Sequence, residues 1–215
     1  MRLCVAGVLG ILGLSSVASA QPATTDARGY VAVVAQSAVG DVTSQSFGLE
    51  GGWYRTPNLA IFVELGAVRD TAPATIGPAA QLIAGHLARN QSAPVSYSVK
   101  QPVGFISGGV RYERGGQRKI RPYVLGAVGV ARVTRDVTFA LGGKDVTGAL
   151  ATYGVVLGTD LAGSTSNPMV TFGGGAAWKP RGAWVFDAGY RFSRIIIDTA
   201  STSLSRIGLG IGYTF

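Results

Sequence analysis

The sequence predicts an all-β fold, an eight-stranded antiparallel transmembrane β-barrel arranged as an up-and-down meander. Three observations predict it: apolar residues alternate with small or polar ones along eight segments, the connections between segments are alternately short and long, and charged residues are scarce. Hydrophobic residues make up 47 % of the chain and charged residues only 14 %, against roughly 25 % in soluble domains. This composition favours a protein whose outer wall faces lipid.

The N-terminus has the three parts of a secretory signal peptide. Arg2 supplies the positive charge, 5–14 form an apolar run, and small residues at positions 18 and 20 precede the predicted cleavage site. An N-terminal membrane anchor is the alternative, but the apolar run is short for a spanning helix and no stop-transfer charges follow it. The predicted parts are a signal peptide at 1–20, a short lead at 21–28 and one barrel domain at 29–215.

Cleavage of this segment would change the chemistry of the mature chain. It would remove Cys4, the only cysteine, and with it any disulfide or thiolate metal site. It would also remove Arg2, which lowers the net charge from +8 to +7. The remaining basic residues are scattered or grouped in short turns, a distribution that favours anionic lipid headgroups over nucleic acid as the partner.

The first three predicted strands differ in the clarity of their pattern. The first is assigned from its Val and Tyr content, because both of its faces are apolar or small. The second carries Phe47 and Leu49 on one face and Glu50 on the other, and the third carries Ile61 opposite Glu64. These strands are predicted at 29–38, 46–55 and 59–70.

The next four strands follow the same rule. In the fourth, Ile106 and Val110 oppose Arg111, and in the seventh Phe186 opposes Asp187. The sixth alternates apolar residues with glycine and threonine, whereas the fifth has two apolar faces and rests on its Val content and its place in the count. These strands are predicted at 103–114, 120–133, 168–179 and 183–195.

The last strand, 203–215, shows the strictest alternation. One face holds an arginine, three glycines and a threonine, and such a face cannot fill a protein core but leaves room inside a narrow barrel. The other face is therefore predicted to meet lipid. Its apolar side chains are Ile207, Leu209, Ile211, Tyr213 and Phe215.

The connections support this strand count independently. Short connections at 56–58, 115–117 and 180–182 alternate with longer ones at 39–45, 71–102, 134–167 and 196–202. Bacterial outer-membrane barrels have short periplasmic turns and longer extracellular loops. We therefore expect both termini on the periplasmic side.

Aromatic residues cluster beside the short connections. Trp53, Trp178 and Trp184 all lie there, and Tyr213 and Phe215 fall at the same predicted level. Amphipathic rings favour headgroup depth, so these residues predict an aromatic girdle at one membrane interface. Coincidence among three tryptophans is the alternative.

Several segments look like those of the small OmpA-type and opacity-like outer-membrane β-barrel proteins. They are the signal peptide, the eight alternating strands and the stretches 121–127, 187–192 and 212–215. The resemblance implies a location in the outer membrane of a Gram-negative bacterium and folding by the barrel-assembly machinery. It implies that the assembly signal is carried by Leu209, Ile211, Tyr213 and Phe215.

Strand parity places eight charged side chains in the lumen. An eight-stranded barrel is only wide enough inside for side chains, and buried charges must pair or be hydrated. We predict a salt-bridge network that closes the lumen, and the alternative is a wet polar interior without a gate. The residues are Glu50, Glu64, Arg111, Glu113, Arg132, Asp187, Arg191 and Arg206.

Catalytic residues are scarce in this sequence. His86 is the only histidine, and it lies in 78–90, which predicts a short amphipathic helix in the second loop. Some outer-membrane barrels modify lipid A with a His–Ser pair, which here would require Ser92 or Ser96 to approach His86. We predict no enzyme, no cofactor and no metal site.

The long connections 71–102 and 134–167 are the predicted seat of any specific function, because loops over about 15 residues are uncommon without a role. They either fold over the mouth or extend the strands as a hairpin. We predict a structural or surface-interaction role, with outer-membrane lipid, lipopolysaccharide and a surface ligand as partners and no nucleic acid. The alternatives are a transporter or binder of small hydrophobic solutes and a lipid A-modifying enzyme. A soluble lipocalin-like barrel is the alternative fold.

Overall fold

A computed structural model describes most of the predicted barrel domain. The described residues are 29–73, 76–91, 93–115, 118–158, 161–180, 182–197 and 201–215. The predicted signal peptide at 1–20, the lead at 21–28 and Ser92 lie outside these residues.

The described residues form ten strands, one α-helix and one 3₁₀-helix. In chain order they are β1 (Gly29–Val39), β2 (Thr43–Thr56), β3 (Leu59–Val68), α1 (Ile76–Asn90), β4 (Val95–Lys100), β5 (Val103–Glu113), β6 (Ile120–Leu141), β7 (Lys144–Asp145), the 3₁₀-helix Thr147–Tyr153, β8 (Gly163–Trp178), β9 (Trp184–Ile195) and β10 (Thr202–Thr214).

Eight of these strands close into a barrel. Each pairs antiparallel with the ring strand before and after it, and β4 and β7 lie outside the ring. The ring closes where β10 pairs with β1, from Tyr30 opposite Thr214 to Val39 opposite Ser205. An unpaired backbone group costs several kcal/mol in hydrocarbon, and closure leaves no such edge in the ring. The predicted eight-stranded up-and-down barrel is confirmed.

Alternation along the strands gives the wall two faces of opposite chemistry. Leu49 and Leu209 point outward, with 58 % and 68 % of their surface exposed, whereas Glu64 and Arg206 point inward and are fully buried. A soluble barrel would bury its apolar face and expose its polar one. The described wall does the reverse, which contradicts the lipocalin-like alternative. Among the described residues, no helix is long and apolar enough to cross a membrane.

Inward-facing glycines make room for the large side chains inside this narrow barrel. A Cβ at Gly66 would overlap the ring of Phe105 on the neighbouring strand, and a Cβ at Gly189 would overlap the hydroxyl of Tyr123. Gly52 accommodates the ring of Tyr30 in the same way. The interior therefore alternates large side chains with glycines at the same depth.

The two ends of the barrel differ. Residues 29 and 215 meet at one end, where Gly29 N–H donates to the Phe215 carbonyl (2.9 Å) and Phe215 N–H donates to that of Gly29 (3.0 Å). The short connections β2–β3, β5–β6 and β8–β9 lie at this end, here called the terminal end. The opposite end, with the long connections, is called the loop end.

Two connections at the loop end are shorter than predicted. The predicted loop 39–45 is reduced to three residues, because β1 continues to Val39 and β2 begins at Thr43. The predicted loop 134–167 is wrong over much of its length: β6 continues to Leu141 and pairs with β8 as far as Arg135 opposite Gly163. The segment 39–45 thus contains a tight turn between two ring strands. The segment 134–167 continues β6 and β8 as a paired extension of the ring.

A small folded unit, here called the outer subdomain, stands on the loop end. It consists of α1, β4, β7, the 3₁₀-helix and the distal part of β6, which pairs with β4 from Val95 opposite Leu141 onward. Helix α1 matches the predicted helix at 78–90 and buries Leu87 against Phe139 in a shared apolar cluster. At its tip the pKa of the Asp145 carboxyl is lowered, because the carboxylate accepts hydrogen bonds from the Thr147 side chain and backbone.

Candidate functional site

Seven of the eight charged side chains predicted to face the lumen meet inside the barrel. They come from β2, β3, β5, β9 and β10, which place them on the inner face at similar depth. Ion pairs connect all seven into one network. Its members are Glu50, Glu64, Arg111, Glu113, Asp187, Arg191 and Arg206.

Arg191 is the cation that joins Glu50 to Glu64 in this network. Its Nη2 donates to Glu50 Oε2 at 2.5 Å, and its Nη1 lies 2.6 Å from Glu64 Oε1. Arg206 Nη1 donates to the same Glu64 oxygen at 2.9 Å. Glu64 is therefore held between two guanidinium groups, and all four side chains are buried from solvent.

Arg111 connects the remaining carboxylates. Its guanidinium lies 3.4 Å from Glu50, 3.0 Å from Glu113 and 3.0 Å from Asp187. It also stacks over the ring of Tyr123, 3.7 Å from the centroid. One guanidinium group thus pairs with three carboxylates and contacts an aromatic face. Hydrogen bonds between two ionised groups are stronger than those between neutral groups.

Tyrosine hydroxyls complete the hydrogen bonding of these carboxylates. Tyr30 donates to Glu50 at 2.7 Å and Tyr123 donates to Asp187 at 2.8 Å. Sequence reasoning missed both tyrosines: Tyr30 bonds to the neighbouring strand, whereas Tyr123 bonds across to β9, a strand with which β6 does not pair. Their positions on inward faces were the available signal.

The network ends at Glu113, on the side of the terminal end. Tyr54 donates to its carboxylate at 3.0 Å. Arg121 Nη1 and Lys179 Nζ each lie 3.8 Å from its Oε2. Neither cation was predicted to face the lumen, because each lies at the edge of a short connection.

Arg132 does not belong to this network, and the prediction for it is wrong. Its side chain is exposed, and its Nη2 donates to the Ser164 hydroxyl at 2.9 Å. The neighbouring Ala131 and Val133 are fully buried, so the odd-numbered residues of β6 face inward. The error arose because both faces of 120–133 are apolar or small.

An apolar layer fills the lumen between the network and the loop end. Its residues come from every ring strand except β2, and Phe105 joins it to the network because Arg206 lies 4.4 Å from the centre of that ring. The lumen is thus occupied by two layers in series. The apolar layer consists of Ala38, Val68, Val103, Phe105, Ala131, Val133, Met169, Ile195 and Leu204.

The predicted girdle residues lie together at the terminal end. Trp53, Trp178 and Trp184 each expose about half of their surface on the outer wall. Trp184 meets Tyr213 edge-to-face, with ring centroids 5.8 Å apart, and Trp178 packs 5.4 Å from Phe186. The placement fits the predicted girdle, and its interfacial role stays a prediction.

The four residues expected to form the assembly signal share the outer face of the last strand. They project from or directly follow β10, between β1 and β9, and expose 45–68 % of their surface. Recognition by the assembly machinery stays a prediction. The residues are Leu209, Ile211, Tyr213 and Phe215.

His86 lies on the exposed face of α1. Its Nε2 is 3.2 Å from the Asn90 side-chain amide, and within the described part of the chain no hydrogen bond joins it to a serine. Ser96 lies on β4. Nor do the described residues contain a group of three or more His, Cys, Asp or Glu side chains arranged to hold a metal ion.

A cleft of about 670 Å³ separates the barrel mouth from the outer subdomain. Leu204 of the apolar layer forms part of its floor, and Ile76 and Ala79 of α1 line one wall. The polar part of the lining includes Thr71 and Gln101, which hydrogen-bond to each other and fix the connection after β3.

The fold is that of the small eight-stranded β-barrels with an apolar outer wall and a charged interior. No protein-family model matches the sequence, and no curated protein matches it. Neisserial surface protein A (NspA) is similar in structure, with a TM-score of 0.53, 14 % sequence identity and coverage of 87 % of this chain and 96 % of that one. The resemblance inferred from the sequence is confirmed at the level of the fold.

Two further solved structures are similar at lower scores. The N-terminal β-barrel domain of OprF from Pseudomonas aeruginosa has a TM-score of 0.48 and 14 % identity, over 86 % of this chain and 97 % of that one. The outer-membrane enzyme PagL has a TM-score of 0.42 and 11 % identity, over 86 % and 99 %.

Replacement of Arg191 by methionine tests the network. The variant leaves Glu50 without its closest cation and Glu64 with one of two, and removal of one partner from a buried pair costs about 3–5 kcal/mol. We expect a loss of this size in the free energy of unfolding, measured by denaturant titration in detergent micelles. Arg132→Met, the matched change at the exposed arginine, should leave stability almost unchanged, and equal losses in both variants would contradict the role of the network.

Proposed function

We propose that the protein is an outer-membrane β-barrel of a Gram-negative bacterium, exported with the signal peptide at 1–20, with a structural or surface-interaction role. The single observation that carries this proposal is the inverted wall: apolar side chains outside and a paired charge network inside. An outer wall of this kind is stable only against lipid. The fold shared with NspA, a surface protein by name, supports the same assignment.

The proposed lumen is closed, not an open pore. The charge network and the apolar layer fill the barrel at successive depths. Ions would have to displace paired guanidinium and carboxylate groups and then cross a layer whose polar side chains are few, with Ser44 opposite Ala38 and Ser46 opposite Val68. Both steps carry high desolvation costs. The wall would then serve as a scaffold for the ends of the barrel.

The outer subdomain supports a role at the cell surface. It has an apolar core of its own, so the long connections are folded structures that present fixed surfaces. Leu82 and Val156 project from it with 76 % and 86 % of their surface exposed. Exposed apolar side chains on a rigid support are suited to contact with other molecules. In this proposal lipid and lipopolysaccharide surround the wall, and the assembly machinery reads the last strand.

Outer-membrane fractionation followed by gel electrophoresis tests the assignment. We expect the protein to pellet with outer membrane and to migrate differently in boiled and unboiled samples, because a closed barrel resists SDS until heated. A periplasmic protein without a heat-dependent shift would contradict the proposal. Arg191→Met provides an internal comparison, since its shift should occur at lower temperature.

Planar-bilayer recording tests the closed lumen. We expect no large, stable conductance steps from the native protein, and none from Arg191→Ala or Phe105→Ala, because each variant leaves one of the two layers intact. We expect channel openings only when Arg191→Ala and Phe105→Ala are combined, because that double variant disrupts both layers. Large stable steps from the native protein would contradict the closed lumen while leaving the barrel assignment unaffected.

Binding of small hydrophobic solutes is the second candidate function, and the cleft at the barrel mouth favours it. The cleft has the volume of a small-molecule site, and apolar side chains of α1 and the apolar layer line it. The closed lumen beneath it makes capture at the surface a better assignment than passage through the barrel.

A pair of matched substitutions on α1 tests this candidate. Ala79 lines the cleft, whereas Ala88 lies on the exposed face of the same helix. We expect Ala79→Trp to fill the cleft and to weaken binding of a fluorescent apolar probe at least tenfold, and Ala88→Trp to leave it unchanged. Equal binding by both variants, or no binding by the native protein, would exclude the cleft as a capture site.

A further inference from the structure

A ring of cations surrounds the terminal end of the barrel. Its members lie in or beside the three short connections, and we call them the basic rim. Beyond the girdle at this end, Glu113 is the only aspartate or glutamate among the described residues, and its side chain points into the lumen. The basic rim consists of Arg55, Arg114, Arg118, Lys119, Arg121 and Lys179.

Most of the rim has no carboxylate to neutralise it. Arg121 and Lys179 share Glu113 at 3.8 Å. The other four cations are exposed, and no ion pair reaches them within the described part of the chain. Their positive charges are therefore available to an external anion at little desolvation cost.

The loop end also has more cations than carboxylates, but among its described residues it carries exposed aspartates as well, at positions 41, 136 and 145. There Lys100 lies opposite Asp136 in the β4–β6 pairing, and Lys144 is followed directly by Asp145. Arg89 is the only charged residue of α1 and lies in its last turn. Among the described residues, the terminal end therefore differs in offering an external anion only cations, without an exposed aspartate or glutamate beside them.

The girdle fixes the depth of the rim. Arg55 follows Trp53 by two residues, Lys179 follows Trp178 by one, and Tyr112, which is also exposed on the outer wall, precedes Arg114 by two. Aromatic rings of this kind lie at headgroup level, and a strand advances about 3.3 Å per residue. The cations therefore lie just beyond the rings, at the depth of lipid phosphates.

The described residues on either side of positions 116 and 117, between β5 and β6, form a concave site within the rim. Arg114, Gly115, Arg118 and Pro122 line a hollow of about 540 Å³. Two backbone bonds hold its shape: Arg114 N–H donates to the Pro122 carbonyl at 2.8 Å, and Arg118 N–H donates to that of Gly115 at 2.9 Å. Two guanidinium groups at one hollow are suited to bind a phosphate.

We propose that the basic rim binds the phosphates of anionic phospholipids in the leaflet at the terminal end, with Arg114 and Arg118 as the principal contacts. The inference rests on the proposed insertion of the barrel in a membrane. Phospholipid fits better than a soluble anion because the cations lie beside the girdle. An anionic headgroup fits better than a zwitterionic one because the described residues of the rim include no exposed aspartate or glutamate that could pair with an ammonium group.

Native mass spectrometry of the folded mature protein, released from bilayers of phosphatidylglycerol and phosphatidylcholine, tests this inference. We expect retained phosphatidylglycerol to exceed its share of the bilayer, and the excess to fall as salt rises. Arg114→Gln with Arg118→Gln should weaken retention by roughly fivefold for each cation removed. Arg89→Gln with Lys144→Gln removes the same charge from the loop end and should change retention little.

The outcomes separate this inference from the proposed function. Equal losses in both double variants would assign the effect to net charge and overturn the site. A native protein that shows the heat-dependent gel shift but no preference for phosphatidylglycerol would overturn the inference and leave the barrel assignment standing. A protein without the gel shift would overturn both. The shift, measured on each variant, also shows that a lost preference does not reflect misfolding.

Discussion

The pairing of β10 with β1 is the constraint on which the rest of the structure depends. Without it, β1 and β10 would each carry a row of unpaired backbone N–H and C=O groups. Each such group costs several kcal/mol in hydrocarbon, so an open sheet would be unstable there. Closure with eight strands sets a lumen only wide enough for side chains. The alternation of faces, the paired interior and the separation of the molecule into two distinct ends all follow from this ring.

The narrow lumen explains why glycine is so frequent and why the buried charges are all paired. Phe105 fits because Gly66 lies beside it, and Tyr123 fits because Gly189 does. Glu64 tolerates burial because Arg191 and Arg206 both contact it. A buried ion pair adds little net stability over an apolar pair, but losing one partner is costly. The network therefore fixes one arrangement of the interior more than it strengthens the fold.

Sequence alone predicted those strands in which one face is polar and the other apolar. It placed seven network residues correctly because a single charged residue sets the parity of its strand. It failed for Arg132, since 120–133 offers two apolar faces. It also missed the extension of β6, although Val137 and Phe139 continue the alternation, because their apolar face packs against α1 instead of the lumen. Contacts between strands that are not paired with each other, such as Tyr123 of β6 with Asp187 of β9, depend on ring order and curvature.

The proposed closed lumen would move the question of function to the two ends, and these differ in kind. The loop end carries a folded subdomain with charges of both signs, a cleft and exposed apolar side chains, which suits selective contact with soluble or surface molecules. The terminal end carries short connections, aromatic rings and cations, a combination that is suited to contact with a layer of anionic lipid headgroups. Headgroup binding at one end would hold the barrel at a fixed depth and tilt. That anchoring would in turn fix the height at which the outer subdomain stands above the membrane, so the two ends would act together without a passage between them.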